Sequence, residues 1–177
     1  MPIAEEVLEA QDRKDDLEFF KERVKTMPLL IEWANDDIKN NKEVILTAVS
    51  RDGGALEFAS KALKDDKEVL LTAVKQAGWT CCYASERLKD DKEVIKTAVE
   101  NDGQILYFAS ERLRDDEEIV SIAVANKPLI IKYASLRLRS NKEIAKLALS
   151  NATSEKKQII SFLGSDLQND EELLSLL

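Results

Sequence analysis

Histidine is absent from this chain of 177 residues. Its absence removes the commonest general base and metal ligand, and with it the Ser-His and Cys-His nucleophile pairs. Only two cysteines occur, Cys81 and Cys82, and they are neighbours. Adjacent cysteines seldom meet disulfide geometry, so two thiols and a reducing compartment are expected. With 5 Gly and 3 Pro in the whole chain, long loops are disfavoured and helix is favoured. No apolar run approaches the ~20 residues of a membrane-spanning helix. The opening residues, Met1-Pro2-Ile3-Ala4-Glu5-Glu6, lack the basic and apolar regions of a signal peptide. A cytoplasmic protein with no membrane partner is expected, with delivery into a host cell as an effector as the alternative.

What is present is a soluble, folded composition, with 44% hydrophobic and 34% charged residues. A net charge of −8 repels nucleic-acid backbones and anionic membranes unless the basic residues gather on one face.

The dominant feature is self-similarity. Residues 65–89 read DDKEVLLTAVKQAGWTCCYASERLK, and residues 90–114 read DDKEVIKTAVENDGQILYFASERLR. Residues 40–64 and 115–139 follow the same pattern without gaps, and 15–39 is a degenerate first copy. Residues 1–14 are expected to form an N-terminal cap, and 140–177 a degenerate repeat with a C-terminal cap. Within that last stretch a further unit start falls at Asn169, after a short insertion.

Each unit is expected to open on a capping box, in which an oxygen-bearing side chain caps the first amides and a Glu three residues on reaches back. The pairs are Asp15/Glu18, Asn40/Glu43, Asp65/Glu68, Asp90/Glu93, Asp115/Glu118, Ser140/Glu143 and Asn169/Glu172. A first helix of about ten residues follows, burying Val69, Leu70, Ala73 and Val74 or their equivalents at helical spacing. The turn falls on Pro28, Gly53, Gly78, Gly103 or Pro128, where Gly is expected to leave the helix with positive φ and Pro to open the next one. A second helix presents Ile105, Leu106, Ala109 and Leu113, and ends on a basic residue. Helices this short are stable only when stacked. The expected fold is therefore all-α: a single-domain right-handed α-solenoid of tandem two-helix repeats, about six units plus terminal caps, over residues 1–177.

The run D-K-E-V-x-x-x-A-V, a Gly turn, then A-L-x-[FY]-A-S-x-x-L resembles a helical repeat of bacterial and protist proteins known only as a domain of unknown function. Lys67-Glu68-Val69, Thr72-Ala73-Val74 and Tyr83-Ala84-Ser85 carry the match most clearly. The first unit and the residues after Leu149 depart from it. The resemblance implies an array of helix pairs and brings no activity, cofactor or catalytic residue. Arrays of this kind in host-associated microbes point towards interaction with partner proteins.

Several recurring side chains are candidates for function. The aromatic ladder Trp33, Phe58, Tyr83, Phe108 and Tyr133 is read as core or inter-repeat packing rather than a base-stacking platform. In the Ala-Ser pairs, Ala59-Ser60, Ala84-Ser85, Ala109-Ser110 and Ala134-Ser135, Ser is expected to bond a carbonyl one turn back. A basic ridge of Arg87, Lys89, Arg112, Arg114, Arg137 and Arg139, preceded by Lys61 and Lys64, would suit a polyanion. The preferred reading is that the Asp residues at the neighbouring unit starts neutralise it. Cys81 sits at an apolar position and Cys82 at a more exposed one, and two thiols without a third ligand make no metal site. The framework varies most at the turn and the start of the second helix, the edge that carries recognition in many solenoids. Arg51, Gln76, Trp79, Asn101, Gln104, Asn126 and Lys127 lie there. Trp79 has Gly54, Gln104 and Leu129 as counterparts, so it is either a contact residue or packs over the neighbouring turn.

The expected function is a protein–protein interaction or scaffold module, a monomer or weak oligomer, offering an extended surface to a protein or peptide. The alternative is polyanion binding along the basic ridge, with nucleic acid the less favoured partner. No enzyme activity, catalytic residue, cofactor or metal is expected.

Overall fold

The computed structural model describes residues 4–177. Every regular element among them is helical. The residues fall into two compact units that divide after Leu88, and residues 1–3 of the expected N-terminal cap lie outside the described range. Each compact unit is a run of stacked helical repeats, the α-solenoid class.

The repeat has three elements, not two. In the first compact unit a long helix, Lys42–Arg51, is followed by a 3-10 helix, Gly53–Phe58, and a four-residue helix, Lys61–Lys64. The next copy has Lys67–Gln76 and Gly78–Tyr83, and ends in Glu86–Lys89. In the second compact unit the same series runs Lys92–Asn101, Gly103–Phe108, Glu111–Arg114, then Glu117–Asn126, Pro128–Tyr133, Leu136–Arg139, then Lys142–Asn151.

The expected second helix is broken at the Ala-Ser step, where both residues are extended. Ala59 has φ −64° and ψ 153°, and Ser60 has φ −58° and ψ 158°. The cause is the serine side chain. Ser60 Oγ accepts from Leu63 N at 3.2 Å, and Ser110 Oγ accepts from Leu113 N at 3.3 Å. Serine is thus the N-cap of the short helix instead of bonding back within a longer one.

The caps of the long helices lie one residue later than the capping-box reading placed them. Asp16, Asn41, Asp66, Asp91, Asp116, Asn141 and Asp170 each accept from a first-turn amide. The residues before them, such as Asn40, Asp65 and Asp115, instead close the C-terminus of the preceding short helix. The recurring Glu therefore stands at the second helical position, where Glu68 and Glu118 each grip a lysine one unit back. Lys92 Nζ lies 2.8 Å from Asp116 and 2.9 Å from Glu118. Lys42 holds Asp66 and Glu68 at 2.7 and 2.8 Å in the first compact unit.

Within each compact unit long helix packs on long helix and 3-10 segment on 3-10 segment. The buried stripe is as the periodicity requires. Val94, Ile95, Ala98 and Val99 are all buried, as are Val44, Ile45, Ala48 and Val49. Ser110 N bonds Lys89 O at 3.1 Å, and Ser135 N bonds Arg114 O at 2.9 Å, so a main-chain bond also joins successive units. At the ends, other segments take the same places. Gly164 N bonds Arg139 O at 3.0 Å, the serine position of the last unit, and Lys142 reaches Asp170 and Glu172. The helix Lys156–Phe162 packs where the next 3-10 segment would lie. In the first compact unit Ala4–Asp12 packs against Pro28–Trp33, and Asn35 N bonds Lys14 O at 2.7 Å.

The turn glycines do not use positive φ, because no glycine among the described residues has it. They are small because the neighbouring unit is close. A Cβ on Gly53 would stand 2.6 Å from Ala73 O, and one on Gly103 would stand 2.5 Å from Ala123 O.

Candidate partner-binding edge

The long helix delivers its last turn, and the 3-10 segment its first residues, to one edge of each compact unit. In the first compact unit Arg51, Gln76 and Trp79 are exposed there. Trp79 is 48% exposed, and its ring lies 3.5 Å from where a Cβ on Gly54 would be. It thus packs over the neighbouring turn and still shows half its surface. It meets Tyr83 edge-on at 6.0 Å. Burial, followed by a hydrogen bond to Glu57, pushes the Tyr83 hydroxyl up to about 12. The Lys64 ammonium caps the same ring at 5.5 Å and donates to Glu57 O at 2.6 Å. Desolvation lowers the pKa of Lys64.

In the second compact unit the edge opens into a groove of about 510 Å³. Gln104, Tyr107 and Phe108 line it from one unit, and Lys127, Pro128, Leu129, Ile130, Lys132 and Tyr133 from the next, with Glu155 closing it. Tyr107, 55% exposed, meets Tyr133 at 4.9 Å and Phe108 at 5.0 Å. The Lys132 ammonium lies 4.8 Å over the Tyr133 ring. Glu155 turns a carboxylate oxygen back onto Ser154 N at 3.2 Å, and backbone amides hold its pKa below the ordinary glutamate value.

Of the residues the sequence singled out, Gln104 and Lys127 line this groove. Asn126 supports it from behind, accepting from Gly103 N at 3.3 Å. Asn101 donates to Thr97 O in its own helix. Tyr107, Lys132 and Glu155 were missed. The signal for Tyr107 was present, because its counterparts are Glu57 and Cys82, a variable position one turn beyond the turn itself. The ladder aromatics Trp33, Phe58, Tyr83, Phe108 and Tyr133 are half-buried, and Tyr133 makes an inter-repeat contact with Tyr107.

Three arginines of the basic ridge, Arg87, Arg112 and Arg137, are occupied by aspartates. Arg112 Nε lies 3.0 Å from Asp90 Oδ1, and Arg137 Nε 2.9 Å from Asp115 Oδ1; both arginines also donate to the aspartate's own carbonyl. Arg87 grips Asp65 in the same way. Ser85, Ser110 and Ser135 donate to these carboxylates as well. Serine hydrogen bonding and the arginines hold all three aspartates below the ordinary carboxylate range. The partner is not the acid one or two residues along the chain but the one at the opposite end of the same 25-residue unit. Arg139 donates to Phe162 O at 3.0 Å, and Arg114 is half-buried.

Cys81 is buried and Cys82 half-buried, and neither forms a disulfide. Among the described residues no group of His, Cys, Asp and Glu is arranged to hold a metal, and no helix is long and apolar enough to cross a membrane.

Stacked three-element units with a changing edge define the class, a helical-repeat protein. The chain belongs to the family described as "Domain of unknown function (DUF4116)", whose model matches residues 16–64, 41–89, 66–114, 91–139 and 116–168. Each match begins on the observed N-cap, Asp16, Asn41, Asp66, Asp91 or Asp116, and spans two successive units. Neither the curated proteins nor the solved structures gave a match.

Proposed function

We propose that the protein is a binding module, without catalytic activity of its own, that engages a protein or peptide through the turn edge. The observation that carries this reading is the groove built on Tyr107 and Tyr133. It is concave and largely apolar, and its exposed rigid aromatic is of the kind that anchors protein contacts. Trp79 offers a comparable exposed anchor on the first compact unit. The polyanion alternative draws less support, because Arg87, Arg112 and Arg137 are already matched by aspartates. A cytoplasmic location fits two cysteines that form no disulfide.

The test is affinity capture on the immobilised chain, with Tyr107→Ala, Trp79→Ala and Arg112→Ala in parallel. A stoichiometric protein partner lost on Tyr107→Ala or Trp79→Ala and retained on Arg112→Ala is the expected result. Nucleic acid that elutes at high salt and is lost on Arg112→Ala would replace this reading with the polyanion one.

A further inference from the structure

We infer that the groove of the second compact unit receives a short extended peptide in which an aromatic or large aliphatic side chain is flanked by aspartate or glutamate. This rests on the binding-module reading and adds the chemistry of the occupant.

Shape comes first. A groove of about 510 Å³ has the dimensions of a site for a drug-sized group, enough for a few side chains and too small for a folded surface. Its apolar lining runs from buried Ile130 to half-exposed Tyr107. Tyr107 is held edge-on between Phe108 and Tyr133, so little side-chain freedom is left to lose when a ligand arrives.

Charge selects the occupant. Lys127 and Lys132 are exposed in the lining, and neither is paired with a carboxylate among the described residues. Elsewhere in the same compact unit Lys92, Lys96, Lys142 and Lys146 are all engaged by Asp or Glu. The single acid of the lining, Glu155, has turned its carboxylate to backbone amides. A chain of net charge −8 therefore carries a locally cationic apolar groove, which complements an apolar anchor with acidic flanks. A single-stranded nucleic acid would also meet rings and cations. Its continuous line of phosphates would meet far more of the chain's net negative charge than the one or two acids of a short peptide.

The experiment selects a random peptide library displayed on phage against the full chain. Recovered peptides are made with a fluorescein label and titrated by polarisation. A consensus of an aromatic or leucine with acidic neighbours is expected, with binding abolished by Tyr107→Ala. Lys127→Gln combined with Lys132→Gln should weaken it about three- to tenfold, since exposed pairs are individually modest. Replacing the peptide's acids by their amides should weaken it similarly, and added salt should do the same. Circular dichroism confirms that each variant is folded. Peptides that need Tyr107 but carry neutral or basic flanks, or ignore the lysine variants, overturn this inference and leave the binding-module reading intact. Peptides indifferent to Tyr107→Ala, or no recovered peptide at all, overturn both readings of the groove. Labelled oligo(dT) that binds more tightly than any peptide and is lost on Tyr107→Ala overturns the peptide assignment in favour of nucleic acid.

Discussion

Replacing Gly103 by alanine tests how tightly the units are stacked. The added Cβ would stand 2.5 Å from Ala123 O and 3.2 Å from the Cβ atoms of Asn126 and Lys127. The first of these neighbours is main chain of the next long helix, so relief requires the units to part by several tenths of an ångström. Overpacking of this kind costs about 1–3 kcal/mol. Against it, alanine restricts the unfolded chain, which returns about 0.4–1 kcal/mol where φ is negative, as it is here. Pro28 and Pro128 hold the same repeat position and carry a Cβ, so the stack can admit one, which keeps the estimate in the lower part of the range. The net is a loss of about 0.5–1.5 kcal/mol, or roughly 1–6 °C in Tm for a chain of this length. Thermal and urea unfolding followed by circular dichroism measure it. Gly54→Ala is the comparison, since its Cβ meets only side chains, Asp52 at 3.0 Å and the Trp79 ring at 3.5 Å. A Gly103→Ala protein as stable as the parent, or less affected than Gly54→Ala, would refute the close-approach argument.

Ile95 is fully buried in its long helix, so Ile95→Ala should cost about 2–5 kcal/mol, read as a lower urea midpoint at unchanged slope. Asp116→Ala removes the cap on Ile119 N and should cost about 1 kcal/mol, while Asp116→Asn keeps an acceptor and should recover most of it. Equal losses in the two would place the effect in the Lys92 ion pair instead. Asp65, Asp90 and Asp115 have folded pKa values below the ordinary 3.8, so they bind protons more weakly folded than unfolded. Their contribution is complete above that value and is lost as pH falls below it. Urea midpoints should therefore drop steeply below pH about 4, and less steeply in Ser110→Ala, which removes the largest cause at Asp90. A thiol reagent should modify Cys82 quickly and Cys81 only on unfolding; two equal fast phases would contradict the burial of Cys81.

The period, the buried stripe and the location of the turn were all legible, because a 25-residue recurrence of Val, Ile and Ala at helical spacing has few other physical readings. The errors arose where a side chain had two local options. A serine after alanine suits the interior of a helix or the start of a new one, and only the amide of Leu63 or Leu113 reveals which. A doubled acid at each unit start leaves the cap ambiguous by one residue. Choosing the first acid turned the glutamate into a capping-box partner, when it actually binds a lysine of the preceding unit. Glycine at a turn suggested positive φ, although close packing demands the same residue. The candidate groove was half visible. Gln104 and Lys127 lie where the framework varies, but Lys132 and Glu155 belong to different units and meet only on stacking.

The paired acids Asp115 and Asp116 face opposite ways along the stack. Asp116 reaches back to Lys92, while Asp115 reaches forward to Ser135 and Arg137. That junction is therefore stitched to both of its neighbours by a handful of atoms. Excising residues 91–115 would bring Asp90 beside Asp116, an identical pair with identical duties. A chain shortened by that one unit would meet no new pair of residues at the seam. The residues that join this unit to its neighbours are thus separate from those that vary along its edge.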